Sequence, residues 1–268
     1  MEQKIEISLN GGIFMKNGKY AVVTGASSGI GYETAKAFAA RGKNVIVCAR
    51  RTDRLETLKS EILASYPETD VVVKSVDLSD EDAVIAFYNS LEDYDIEVFV
   101  NNAGIGNNGD ITDPALEHNR RMMQVNMNAL AILSTLYVAD YKDTEGAQLI
   151  NVASSAGYVM FPGCTLYGAT KFFASALTEG IDAEMQQGGH KLRAKVLAPD
   201  ATETEFEQTA HELTEEVDYT QKFRRFHTAK EMAGFLLRLY DGDKTVGEID
   251  FETSDLKLTD AKHPALHF

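Results

Sequence analysis

The chain has 268 residues, enough for one large α/β domain or two small ones around a buried core. Apolar residues make up 44% and charged residues 25%, ordinary values for a globular protein. Its 26 Lys and Arg against 41 Asp and Glu leave a net charge of −15, which argues against nucleic acid or anionic membrane as a general partner. Any bound anion must therefore be held by local positive charge. Cys48 and Cys164 are too few for a disulfide framework and lack metal-ligand spacing, so no metal is expected; Cys48, inside an apolar run, is expected in the core. No segment approaches the roughly 18 apolar residues that span a bilayer. The opening Met-Glu-Gln-Lys-Ile-Glu has no signal pattern, and a cytoplasmic location is expected.

In chain order, the first feature is Asn10-Gly11-Gly12-Ile13-Phe14-Met15, which can be encoded with a purine-rich GGAGG just upstream of an ATG, as in a bacterial ribosome-binding site. Met15 is expected to be the start and residues 1–14 a translated leader, the alternative being a short arm; a single domain is placed at 19–268. Apolar, β-branched runs predict strands at Tyr20–Val23, Asn44–Ala49, Val71–Val76, Glu97–Val100, Gln148–Val152, Leu192–Leu197 and Val246–Phe251. Amphipathic stretches between them predict helices from Gly29 to about Arg41, Arg51 to Ser65, Ser79 to Leu91, Leu116 to Ala139 and Thr165 to about Gln186. Thr228-Ala229-Lys230-Glu231 is a capping box that opens a last helix to Tyr240. Strand–helix alternation with like-handed crossovers predicts an α/β fold, a doubly wound, seven-stranded parallel sheet in a three-layer αβα sandwich. Residues 203–227, acidic and interleaved with Phe206, Tyr219, Phe223 and Phe226, fall at the carboxyl ends of strands, where ligands bind. They are expected to form a substrate flap, the alternative being an amphipathic surface helix.

Thr24-Gly25-Ala26-Ser27-Ser28-Gly29-Ile30-Gly31 follows the first strand and opens the first helix. Glycines there let the backbone approach a pyrophosphate, and the helix N-terminus presents N–H groups and a favourable dipole to it. The TGxxxGxG spacing, rather than GxGxxG, resembles the short-chain dehydrogenases/reductases, and the resemblance extends over nearly the whole chain. It implies a nicotinamide cofactor and the seven-stranded Rossmann fold already inferred. At the end of the second strand, where NAD recognition wants an acidic residue, the chain has Cys48-Ala49-Arg50-Arg51, with Arg54 a turn later. The planar guanidinium suits a phosphate, so Arg50 and Arg51 predict NADP(H); a solvated helix-start pair is the alternative. The resemblance further assigns Asp77 and Leu78 to the adenine. It places Asn102, Ala103 and Gly104 of Asn101-Asn102-Ala103-Gly104 along the adenosine side, and Pro199 and Thr202 near the nicotinamide and pyrophosphate. Gly25, Ser27, Ser28, Gly29, Ile30 and Gly31 complete the cofactor set.

Tyr167 and Lys171 stand at i and i+4, on one helix face. With Asn126 and Ser154 they match the family's Asn–Ser–Tyr–Lys tetrad in order and spacing. A phenol with a pKa near 10 is a poor base at neutral pH. A neighbouring ammonium and the oxidised nicotinamide are expected to lower it. Tyr167 would then take or return the alcohol proton, while Ser154 hydrogen-bonds the substrate oxygen. The family's counterpart of Lys171 also binds the nicotinamide ribose, and that of Asn126 holds a relay water. Ser155 rivals Ser154 by chemistry, and Cys164 is placed either in the pocket wall or at the helix start.

The chain departs from the family at Pro199-Asp200, where Pro-Gly is usual, which sets a carboxylate near the cofactor. Tyr158, Met160, Phe161, Cys164 and the aromatic flap predict a small to medium, largely apolar carbonyl or alcohol substrate. The resemblance implies a homodimer or homotetramer. The rival reading is a non-catalytic NADP(H)-binding or regulatory protein on the same fold.

Overall fold

The computed structural model describes residues 18–264 apart from 108, 110, 113, 114 and 211–216, together with Glu6–Ile7 and Ile13–Phe14, which pair antiparallel. The start at Met15, the rest of the 1–14 leader and positions 211–216 of the flap lie outside the described residues.

Seven parallel strands form where the apolar runs predict them: β1 (Tyr20–Thr24), β2 (Asn44–Ala49), β3 (Val71–Ser75), β4 (Ile96–Asn101), β5 (Gln148–Val152), β6 (Arg193–Ala198) and β7 (Val246–Ile249). The sheet, however, has eight strands. The added one is β8 (Leu256–Thr259), antiparallel to β7. β7 stops at Ile249 and not Phe251 because Asp250 turns the chain back: its Oδ1 accepts the Glu252 and Thr253 N–H groups at 2.9 Å each. The four-residue Leu-Lys-Leu-Thr run that follows is too short for periodicity to reveal it. The order β8-β7-β6-β5-β4-β1-β2-β3 reverses between β1 and β4. Ligands bind in such a sheet where that reversal parts the carboxyl ends of the two strands.

Both faces of the sheet are largely buried, which is why its strands read as predominantly apolar runs. Along β1, Ala21 and Val23 face one core and Tyr20 and Val22 the other. The first core is covered by α1 (Gly29–Ala39), α2 (Thr52–Ser65) and, after the long helices, by the capping-box helix α6 (Ala229–Asp241). α1 and α6 pack together over this face, with Phe38 edge-on to Tyr240 at 5.3 Å and Arg41 paired with Asp241. The opposite face carries α3 (Glu81–Asn89), α4 (Leu116–Tyr141) and α5 (Thr165–Gln187). By length and composition α4 could cross a membrane, contrary to the expectation that no segment is apolar enough; here Met122, Ala129, Leu133 and Tyr137 are buried in the domain. α4 is also interrupted. A π-helical turn, Gln124–Ala129, separates Leu116–Met123 from Leu130–Tyr141 and holds Asn126.

Candidate active site

The carboxyl ends of β1, β2, β4, β5 and β6 open onto one cleft of about 2100 Å3, lined by the expected site residues except Gly31 and Asn126, which stand behind its wall. At one end lies the turn between β1 and α1. Gly25 and Gly29 adopt φ of +67° and +57°, a region costly for any side chain. Asn102 ties this turn to β4: its Nδ2 donates to Thr24 O at 2.9 Å and Gly25 O at 3.3 Å. Thr24 Oγ1 accepts the Asn102 and Ala103 N–H groups at 3.0 and 3.1 Å. Asn102 thus shapes the turn, and Thr24, quoted in the motif but given no role, is its partner. The first turn of α1 has no acidic residue, and its N-cap Ser28 makes no side-chain capping bond. Its N-terminal N–H groups and dipole are accordingly suited to an anion such as a pyrophosphate.

The arginines at the end of β2 differ in placement. Arg50 is exposed on the cleft wall. Arg51 folds over the glycine turn, where Nη2 donates to Ser27 Oγ at 3.1 Å and Ser28 Oγ at 2.9 Å. Nη2 also pairs with Glu205 Oε2 at 2.7 Å. Glu205 was not foreseen as a site residue. Asp77 is engaged on both oxygens, accepting from Ser79 N and Oγ and from Arg121 Nη2, while Leu78 packs into the core.

At the other end, Tyr167 and Lys171 project from the start of α5. Lys171 is 4% exposed, and its Nζ donates to Val152 O at 3.0 Å. Burial pushes its pKa down to about 8. Tyr167 lies beside it, with the ammonium 5.7 Å from the ring centroid. The lowered phenol pKa expected from sequence depends on the lysine together with the oxidised nicotinamide; among the protein's own groups, burial pushes Tyr167 well above its ordinary value, and the Ser154 hydroxyl, bonded to it, pulls the other way. Asn126 is held rigidly behind them. Its Oδ1 accepts Ile105 N at 2.8 Å, and its Nδ2 donates to Ile105 O at 2.9 Å and Thr170 Oγ1 at 3.0 Å.

Geometry separates the two serines. Ser155 Oγ donates to Asp200 Oδ1 at 3.4 Å, and Ser155 N to Pro199 O at 2.7 Å, so Asp200 engages Ser155 and Ser154 faces Tyr167. Ser154→Ala is expected to lower turnover about a hundredfold and Ser155→Ala less than tenfold, measured side by side with one carbonyl substrate; equal losses would contradict this assignment. Thr202 Oγ1 donates to Asp200 O at 2.8 Å, and Pro199 and Thr202 both line the cleft. Cys164 is half-buried in the cleft wall immediately before α5.

Described residues of the segment after β6 line the cleft. Thr202–Glu203 pairs with His227–Thr228, and short helices Phe206–Ala210 and Tyr219–Lys222 follow in between. The Phe206 ring stands 5.5 Å from that of Tyr167. Phe161 and Phe223 share this wall with charged groups, including the ion-paired Glu207 and Lys222, so its lining is less apolar than expected.

The short chain dehydrogenase family profile matches residues 19–215. Over 202 residues the chain is 32% identical to dehydrogenase/reductase SDR family member 11 of Gallus gallus, covering 73% of this chain and 79% of that one. Among solved structures it resembles a short-chain dehydrogenase from Sphingobium yanoikuyae in complex with NADPH, with a TM-score of 0.79 at 26% identity, over 88% of this chain and 89% of that one. A family protein from Burkholderia phymatum in complex with NAD shares the fold, with a TM-score of 0.71 at 22% identity over 84% and 86% of the two chains.

Proposed function

The chain belongs to the short-chain dehydrogenase/reductase family of oxidoreductases, and from that premise we propose an NADP(H)-dependent enzyme that interconverts a carbonyl and an alcohol, with Tyr167 as general acid/base. The observation that carries this is one cleft with an arginine and two serine hydroxyls at one end and a half-buried tyrosine and serine beside a buried lysine at the other. The cofactor, when bound, exchanges hydride with the carbonyl carbon. Gly25, Ser27, Ser28, Gly29, Ile30 and Gly31 would hold its pyrophosphate on the α1 N-terminus, with Arg50 and Arg51 on the 2′-phosphate. Asp77, Leu78, Asn102, Ala103 and Gly104 would line the adenosine side, and Pro199, Thr202 and Lys171 the nicotinamide side.

The chain's own residues handle the proton. As the substrate oxygen gains charge in reduction, Ser154 donates a hydrogen bond to it and Tyr167 gives up its proton. In oxidation the alcohol proton returns to Tyr167. Lys171, anchored on Val152 O, sets a positive charge beside the phenolate, and Asn126 fixes the backbone next to it. We infer a small to medium carbonyl substrate that meets Phe161, Phe206 and Phe223, with residues 203–227 as its cover. Assembly as a homodimer or homotetramer through α4 and α5 belongs to the same proposal.

The test is to titrate NADPH and NADH by their fluorescence and then follow NADPH oxidation across ketones and aldehydes. NADPH is expected to bind at least about tenfold more tightly, the value of one charge-assisted contact. Tighter NADH binding would defeat the NADP(H) assignment. No turnover across the panel would favour the non-catalytic reading.

A further inference from the structure

Arg51 is shared between the glycine turn and a carboxylate. Its Nε and Nη2 protons meet three acceptors: Ser27 Oγ at 3.3 and 3.1 Å, Ser28 Oγ at 2.9 Å and Glu205 Oε2 at 2.7 Å. Two of these belong to the turn that receives the cofactor's phosphates. The third is a carboxylate from the opposite side of the cleft, and it also approaches Arg54 Nη2 at 3.9 Å. Glu205 is held in place by its neighbours. Thr204 Oγ1 accepts Phe206 N at 3.2 Å, and the Thr204 side chain sits so close over Gly29 that a Cβ there would come within 2.9 Å of Thr204 Cγ2. Burial alone would push the Glu205 carboxyl up, but Arg51, Ser28 and Arg54 outweigh it and hold the group below its ordinary range, as an anion. In a chain of net charge −15, a carboxylate inside an anion-binding cluster works against phosphate binding.

We propose that Glu205 is a specificity-determining residue, an internal anion that competes with the 2′-phosphate of the cofactor for Arg51. The inference rests on the NADP(H) reading. A phosphate on Arg51 must displace Glu205 from Nη2 or share the guanidinium against its repulsion. A dinucleotide lacking the 2′-phosphate contests nothing there. Glu205 therefore weakens NADPH and leaves NADH nearly unaffected, holding discrimination below what the arginines alone would give.

The experiment measures Kd for NADPH and NADH in wild type, Glu205→Gln, Arg51→Ala and the double variant. Glu205 is 39% exposed at its side chain, so the glutamine variant keeps its fold. In Glu205→Gln the ratio of Kd for NADH to Kd for NADPH is expected to rise about fivefold, the size of an exposed ion pair, through tighter NADPH. In the Arg51→Ala background the same substitution should leave the ratio unchanged. An unchanged or lower ratio in Glu205→Gln, or a rise that persists without Arg51, overturns the proposal. The change in the ratio is readable whatever its starting value: a wild-type ratio below one sinks the NADP(H) assignment, whereas a rise from it still supports the competition.

Discussion

Replacing Tyr167 with Phe is expected to lower carbonyl reduction by about 10²–10⁴ and to leave NADPH affinity within about threefold of wild type. The substitution removes one oxygen, whose bonding partner is Ser154, and keeps the ring that packs beside Phe206 at 5.5 Å. A structural role would show itself in melting temperature or cofactor affinity. An acid role shows itself in turnover alone. Burial holds the phenol protonated, which suits donation to a forming alkoxide, while oxidation needs the phenolate and should therefore accelerate with rising pH in wild type. Steady-state rates in both directions, with fluorescence titration of NADPH, check this. A variant with near wild-type reduction would remove Tyr167 from the chemistry.

Lys171→Met is expected to abolish most turnover, by about a hundredfold or more, and at the same time to stabilise the protein. The ammonium is buried, and its displacement from an ordinary 10.5 to about 8 corresponds to about 3 kcal/mol of penalty on the charged form. The lost hydrogen bond from the ammonium to Val152 O costs about 1.5–3 kcal/mol, which offsets part of the relief of desolvation. Between about 8 and 10.5 the unfolded chain keeps a proton that the folded lysine has released, so wild-type stability from this group rises with pH across that window. Methionine lacks this titration. Its advantage should be a few degrees in melting temperature at pH 7, at about 2–4 °C per kcal/mol, and should shrink by pH 9.5. No gain at pH 7, or a gain that grows with pH, would contradict the buried-charge account.

Features legible in the sequence are those set by local chemistry. The seven parallel strands are visible because both sheet faces are largely buried and their runs are predominantly apolar. The glycine turn and the Tyr167–Lys171 helix face carry their spacing within eight residues or fewer. What escaped depends on residues distant in the chain. Glu205 lies 154 positions beyond Arg51, and nothing local to either predicts that they meet. Spacing to Tyr167 already favours Ser154 over Ser155; the engagement of Ser155 by Asp200 is not visible in the sequence. The π-helical turn at Asn126 is not among the elements predicted from the sequence. The raised Tyr167 pKa reflects desolvation of the phenol, a tertiary property that the sequence does not show.

The packing of α1 on α6 has a consequence for synthesis. The helix whose N-terminus is proposed to receive the cofactor is made early, yet the surface that backs it, Tyr240 against Phe38 and Asp241 against Arg41, is encoded about two hundred residues later. On the ribosome, α1 must wait with an apolar flank uncovered until α6 has emerged. Cofactor binding to nascent chains should therefore set in only once residues 229–241 are free to pack.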